Sequence, residues 1–220
     1  MQRPSYEFNR SVTVMRQKKG RRFFWIVASI AWVISISSGI WVLWAYESTP
    51  GDWADSVSNW PEPCDIPLAR ERATLVVFAH PRCPCTRASI AELTEIMTRC
   101  RGLLETQVIF LRPRGCDDDW VHTNLWLSAK AIPDVTVRED LDGQTARQFG
   151  VFTSGHAILF DATGKRRFSG GITRARGQVG ENPGSKRLVA ILTQRTVCLE
   201  ESPVFGCPLF DSGSPAWSTN

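Results

Sequence analysis

Outside its first 22 residues the chain lacks any surplus of basic charge. Residues 1–22 carry seven Lys or Arg (Arg3, Arg10, Arg16, Lys18, Lys19, Arg21, Arg22) against Glu7, and the remainder carries 19 basic and 21 acidic side chains. The net charge of +4 therefore belongs to the tail. Nucleic-acid binding by the rest is excluded by charge, because such binding depends on neutralising phosphates. No internal repeat is present. Seven cysteines in 220 residues are too few for a scaffold built from disulfides. The longest absence is of charge itself, with none in the 24 residues from Phe23 to Tyr46.

At about 1.5 Å per residue that run crosses a bilayer core of roughly 30 Å with some tilt. Trp25 lies near one end and Trp41 and Trp44 near the other, where indole rings favour the headgroup region. No small-x-small site directly precedes Glu47, and the run exceeds an ordinary signal-peptide core, so an uncleaved anchor is expected. The cluster Lys18-Lys19-Gly20-Arg21-Arg22 belongs on the cytoplasmic side. The expected localisation is the bacterial inner membrane, single-pass, with the C-terminal part in the periplasm, where disulfides persist. The sequence thus divides into a basic cytoplasmic tail (1–22), a transmembrane anchor (23–46), a linker rich in Pro, Ser, Trp and Asp (47–70), one folded domain (71–198) and a C-terminal tail (199–220).

Within the domain, Thr74–Ala79 and Thr106–Leu111 are short apolar runs that suit buried strands. Between them Ile90, Leu93, Met97 and Cys100 form the stripe of an amphipathic helix. Residues 117–131 open with three Asp, favourable at a helix start. Val135–Val137 is a shorter strand; His156–Phe160, a turn at Asp161–Lys165 and a strand from Arg167 make a hairpin; residues 185–198 are a last helix. This order predicts an α/β domain, a parallel unit joined to an antiparallel one. It brings the loops 80–85, 112–117 and 153–156 to one edge of the sheet.

Phe78-Ala-His-Pro-Arg-Cys83-Pro84-Cys85-Thr86-Arg87 leaves the first strand and opens the first helix. A thiol at a helix start gains from exposed N–H groups and the dipole, which favour thiolate, and Pro84 suits the first turn. Arg82 and His80 add positive charge. Cys83, the outer thiol, is expected to attack, and Cys85 to resolve the mixed disulfide. The plain alternatives are a chance pair at a turn or half of a metal site. No Pro-x-x-x-Thr-x-x-Cys arrangement surrounds either cysteine, which argues against a peroxidase.

Here the sequence resembles the thioredoxin-like superfamily, and most the membrane-anchored periplasmic thiol-disulfide proteins of the TlpA type. Phe78–Arg87 resembles their strand end and Cys-x-x-Cys helix start, and Phe149-Gly-Val with Ala157–Lys165 resembles their later strand and turn. The resemblance spans residues 71–198 and implies a thioredoxin-like fold, a mixed sheet flanked by helices. It implies thiol-disulfide exchange with protein thiols or disulfides and a membrane or periplasmic redox partner, with no cofactor. Two departures stand out. The spacing is Cys-x-Cys, whose disulfide closes a smaller ring that strain would make easier to reduce. The family's cis-proline before the hairpin strand, which helps grip substrate backbone, is replaced by Gly155.

An alternative function, a copper-binding assembly factor, uses Cys83, Cys85 and His156 on Cu(I), with partial resemblance to Sco-type copper proteins. A static His156 is the plainer expectation. Cys116, past the second strand, is a candidate third redox thiol or a static disulfide partner. Cys100 reads as a buried inert thiol. With 83 and 85 paired, Cys64, Cys116, Cys198 and Cys207 leave three connectivities, of which Cys198–Cys207 is the most local.

Overall fold

A computed structural model describes residues 5–51, 56–194 and 200–210. The chain divides into two units, residues 1–46 and 47–220. The first is built on helix α1, Ser5–Ser48. Its apolar stretch, Arg21–Ser48, has 28 residues, about 42 Å at helical rise. It is long and apolar enough to cross a membrane. Phe23, Trp25, Ile30, Trp41 and Trp44 all stand exposed along it. Water disfavours so continuous an apolar surface.

The second unit alternates strands and helices in the order the hydrophobic runs predict. Strand β1 (Ala73–Ala79), helix α2 (Pro84–Arg99) and strand β2 (Leu104–Arg112) form a parallel unit. Short helices α3 (Asp118–Val121) and α4 (Asn124–Lys130) lead to β3 (Val135–Leu141), again parallel. Helix α5 (Gln144–Gln148) follows, and then the hairpin of β4 (His156–Phe160) and β5 (Arg166–Gly171). Helix α6 (Pro183–Gln194) and a three-residue strand β6 (Glu200–Ser202) complete it. The six strands lie in the order β3-β2-β1-β4-β5-β6, with β4 antiparallel to both neighbours and β6 parallel to β5.

Local chemistry explains the joints. In the hairpin turn Asp161 Oδ1 accepts the N–H groups of Thr163 and Lys165, and Gly164 supplies a φ of +82°. Asn182 Oδ1 accepts the Ser185 N–H at 2.7 Å and so caps α6, with Pro183 in the first turn. The carboxylate of Asp140 accepts the N–H groups of Thr145 and Ala146 and starts α5.

Alternation along the strands divides the core in two. Leu75, Val77, Ala157 and Leu159 face α2, α4 and α6, meeting Ile90, Leu93, Ala129 and Leu188. Val76, Phe78, Ile158 and Phe160 face the other way, toward Ala146 and Phe149. Phe78, Phe110, Phe149, Phe160 and Phe168 are fully buried. Each contributes on the order of 2–3 kcal/mol of hydrophobic stabilisation. Of the stretch expected as linker, Trp60, Ile66 and Leu68 belong to this second face, and Trp60 stands edge-on to Phe149 and Phe160.

Because β1, β2, β3, β5 and β6 all run one way, their C-terminal ends share one edge, where β4 begins. Among the chain segments that meet there are 80–85, 113–117, 153–155 and the exit of β6 at 203–207. The first three are the loops the strand order predicts.

Candidate functional site

Cys83 is the N-cap residue of α2, with extended backbone (φ −95°, ψ 128°) and no side-chain cap of its own. Its carbonyl accepts the Thr86 N–H at 3.1 Å, and its N–H donates to His80 O at 3.2 Å, so residues 80–83 form a closed turn. Thr86 Oγ1 donates to His80 O as well, and Ser154 Oγ accepts the His80 N–H, both at 2.9 Å. Pro84 occupies the first helical turn, where its missing N–H costs nothing. The sulfur of Cys83 thus stands where the first N–H groups of α2 lack helical partners.

Among the described residues, three sulfurs gather at this point: those of Cys83, Cys85 and Cys207 lie within 4.8 Å of one another. Cys83 Sγ and Cys207 Sγ are 2.8 Å apart. Cys83 is 4% exposed and Cys85 5%. The expected outer thiol is therefore buried, with the sulfur of Cys207 against it. Burial pushes the Cys85 thiol up, and the neighbouring Cys83 sulfur adds to the shift. Cys207 is pushed up to about 12, by burial first and then by its contact with Cys83. Both neighbours therefore keep their protons at neutral pH.

The remaining candidates have distinct places. Arg82 turns to Trp120, with Nε donating to its carbonyl at 3.3 Å and the guanidinium 5.3 Å from the ring centroid. Gly155 holds φ +86°, a conformation that strains any side chain, and donates its N–H to Phe78 O at 2.7 Å. A proline there has no hydrogen to give, so the glycine is suited to this backbone contact. Cys116 closes the turn after β2, its N–H on Pro113 O, and is outside the sulfur cluster. Cys100 is fully buried at the end of α2, and burial pushes its thiol up. Cys198 lies outside the described residues, whereas Cys207 stands beside Cys83.

His156 starts β4 at the right edge but on the other face. Period-two alternation sets it with Ile158 and Phe160, away from the face that α2 covers. It is 3% exposed and its Nε2 is 2.8 Å from Ser169 Oγ. Burial, then the positive charge of Arg166, lowers its pKa to about 4. The group of side chains that could hold a soft metal here is Cys83, Cys85 and Cys207; His156 is not part of it. Thiolates in that number suit Cu(I) or zinc.

The chain matches no protein-family model and no curated protein. Its solved structural relatives are distant. A hypothetical protein from Sinorhizobium meliloti 1021 superposes with a TM-score of 0.55 at 18% identity, over 73% of this chain and 98% of that one. An uncharacterized conserved protein from Geobacillus kaustophilus gives 0.53 at 14%, over 76% and 94%. A thioredoxin-like protein in its oxidized form gives 0.46 at 17%, over 63% and 97%. The strand order β3-β2-β1-β4-β5, with cysteines at the β1–α2 turn, decides the class.

The fold is thioredoxin-like.

Within it, β6 and the segment after it are the parts that sequence reasoning missed. That segment runs antiparallel to residues 152–154: Ser154 N–H donates to Cys207 O at 2.9 Å, and Leu209 N–H to Phe152 O at 2.8 Å. Thr153 and Pro208 form a β-bridge between these bonds. The only signals in the sequence are indirect. Gly170 and Gly171 at the end of β5 leave room for Ser202 and Pro203, and Gly206 fits against Ser154 O.

Proposed function

We propose that this chain is a membrane-anchored, extracytoplasmic thiol-disulfide oxidoreductase. Cys83 attacks the disulfide of a protein substrate, and Cys85 resolves the mixed disulfide to leave the Cys83–Cys85 pair oxidised. The observation that carries this is the position of Cys83: the N-cap of α2, at the edge of a thioredoxin-like sheet, with two further thiols beside it. Unpaired N–H groups at a helix start stabilise the thiolate that attacks. The basic residues before α1's apolar stretch favour a cytoplasmic N-terminus, with residues 47–220 in the periplasm and a membrane or periplasmic redox partner resetting the pair.

Reduction of insulin disulfides by the full chain in detergent, with dithiothreitol as the electron source, tests the reading. Cys83→Ser loses the catalysed rate at least about 100-fold, and the double variant Cys85→Ser/Cys207→Ser, left with no second thiol beside Cys83, accumulates a mixed disulfide. An unchanged rate in Cys83→Ser overturns it. A reporter that works only after export, fused after Asn220, is active; activity of a cytoplasm-only reporter there overturns the topology.

A further inference from the structure

The molecule carries a cysteine peptide of its own across Cys83. Strand β6 is three residues long, yet its direction decides where the chain goes next. Being parallel to β5, it leaves the sheet at the edge where β1 ends. From β6 to β1 lie three strand spacings, about 14 Å. The five residues after Ser202 span at most about 17 Å when extended. The segment therefore has little slack as it passes β5 and β4 to reach Cys83.

Bonds along its length hold it there. Ser202 Oγ donates to Gly171 O at 2.7 Å, and Gly51 N–H donates to Val204 O at 2.8 Å. Arg176 Nη1 donates to Gly206 O. The paired backbone at 152–154 holds the chain from Cys207 O to Leu209 N–H, and Leu209 is buried. The outcome is a tethered peptide whose sulfur is 2.8 Å from Cys83 Sγ, and Cys83, the thiol that a substrate must reach, is 4% exposed.

We propose that residues 203–209 are a tethered internal substrate: Cys207 exchanges with Cys83, storing the oxidised state as a Cys83–Cys207 disulfide and freeing Cys85. This rests on the thiol-disulfide reading above. Starting from the Cys83–Cys85 disulfide, the Cys207 thiolate attacks the Cys83 sulfur. The 83–85 bond breaks, the 83–207 bond forms, and Cys85 leaves as thiolate, taking up the proton Cys207 gave. Both oxidising equivalents stay in the protein, so no outside oxidant or reductant takes part. The exchange relieves a ring that spans a single residue, Pro84. The barrier to ionising Cys207 also falls in that state, because a disulfide-bonded Cys83 no longer holds charge against it; the share due to burial remains.

Disulfide mapping of the full chain tests this. The protein is oxidised with diamide in detergent, quenched in acid with an alkylating agent, and cleaved after Arg82, Arg87, Glu200 and Glu201, which separates Cys207 from Cys198 and from the 83–85 peptide. The expected result is a cross-link between the peptide of residues 83–87 and the Cys207 peptide, with one alkylated cysteine in the former. Cys85→Ser keeps the cross-link, and Cys207→Ser gives the internal 83–85 disulfide instead. Exclusive 83–85 pairing in the wild type, or Cys207 bonded to Cys198, overturns the proposal. Either result leaves the insulin assay of Cys83→Ser free to support the oxidoreductase reading, so the two fail separately.

Discussion

The hydroxyl of Ser154 accepts the backbone N–H of His80 at 2.9 Å, joining the loop before β4 to the turn that presents Cys83. Thr86 Oγ1, 3.1 Å from the same oxygen, makes it a shared corner. Ser154 is fully buried, so its loss leaves the His80 N–H without a partner. Ser154→Ala is expected to cost about 1–3 kcal/mol of stability. The midpoint of urea unfolding in detergent reads this directly; an unmoved midpoint contradicts it.

His156 gives the protein an acid limit. Its pKa is about 4 in the folded state against an ordinary 6.5, through burial first and Arg166 second. Between those pH values the unfolded chain binds a proton that the folded one refuses, so stability falls as pH drops from 6.5 to 4. The full effect is roughly 3 kcal/mol. His156→Gln should flatten the difference between unfolding midpoints at pH 7 and pH 4.5. A variant that loses as much stability on acidification as the wild type disproves the assignment.

Copper chemistry, if present, should ignore His156. Its Nε2 is engaged by Ser169, and that serine is tied in turn to Ser56 at 2.6 Å. A Cu(I) titration of the reduced full chain with a competing chelator is expected to give equal affinity for wild type and His156→Ala. A drop of about tenfold or more, the usual penalty for losing a ligand or its support, restores His156 as a ligand.

Gly206 gives a handle on the cover over Cys83. A Cβ at this position meets the Ser154 carbonyl, a backbone atom that cannot yield cheaply. Gly206→Ala should lift the segment and raise the alkylation rate of Cys83 in the reduced protein at least about fivefold. The readout is iodoacetamide labelling followed by peptide mass spectrometry. An unchanged rate means that the segment does not shield the thiol.

The legible parts of the fold are those with strong periodicity. Thr74–Ala79 and Thr106–Leu111 read as strands because buried parallel strands are apolar on both faces, and both are buried in the sheet. The turn at Asp161–Lys165 carried its own chemistry. Strand β6, Glu-Glu-Ser, shows no such pattern: it is held by main-chain bonds to β5, which sequence composition does not reveal. The place of Cys207 depends on the direction of that strand, which no hydrophobic pattern in the sequence marks. His156 was placed at the correct edge, but its face follows from the sheet's alternation, which sets it opposite α2.

The short run of chain from Ser202 to Cys207 has a kinetic consequence. A thiol held on so short a tether acts at an effective concentration of millimolar or more. Any diffusing thiol or substrate cysteine present at micromolar levels competes for the Cys83 sulfur against a resident rival some thousandfold more abundant. Under the proposed exchange, external partners succeed chiefly by binding where Cys207-Pro208-Leu209 binds, and mere collision with the sulfur counts for little. Selectivity among client proteins would follow from how well a client's own extended segment displaces those three residues from Phe152–Ser154.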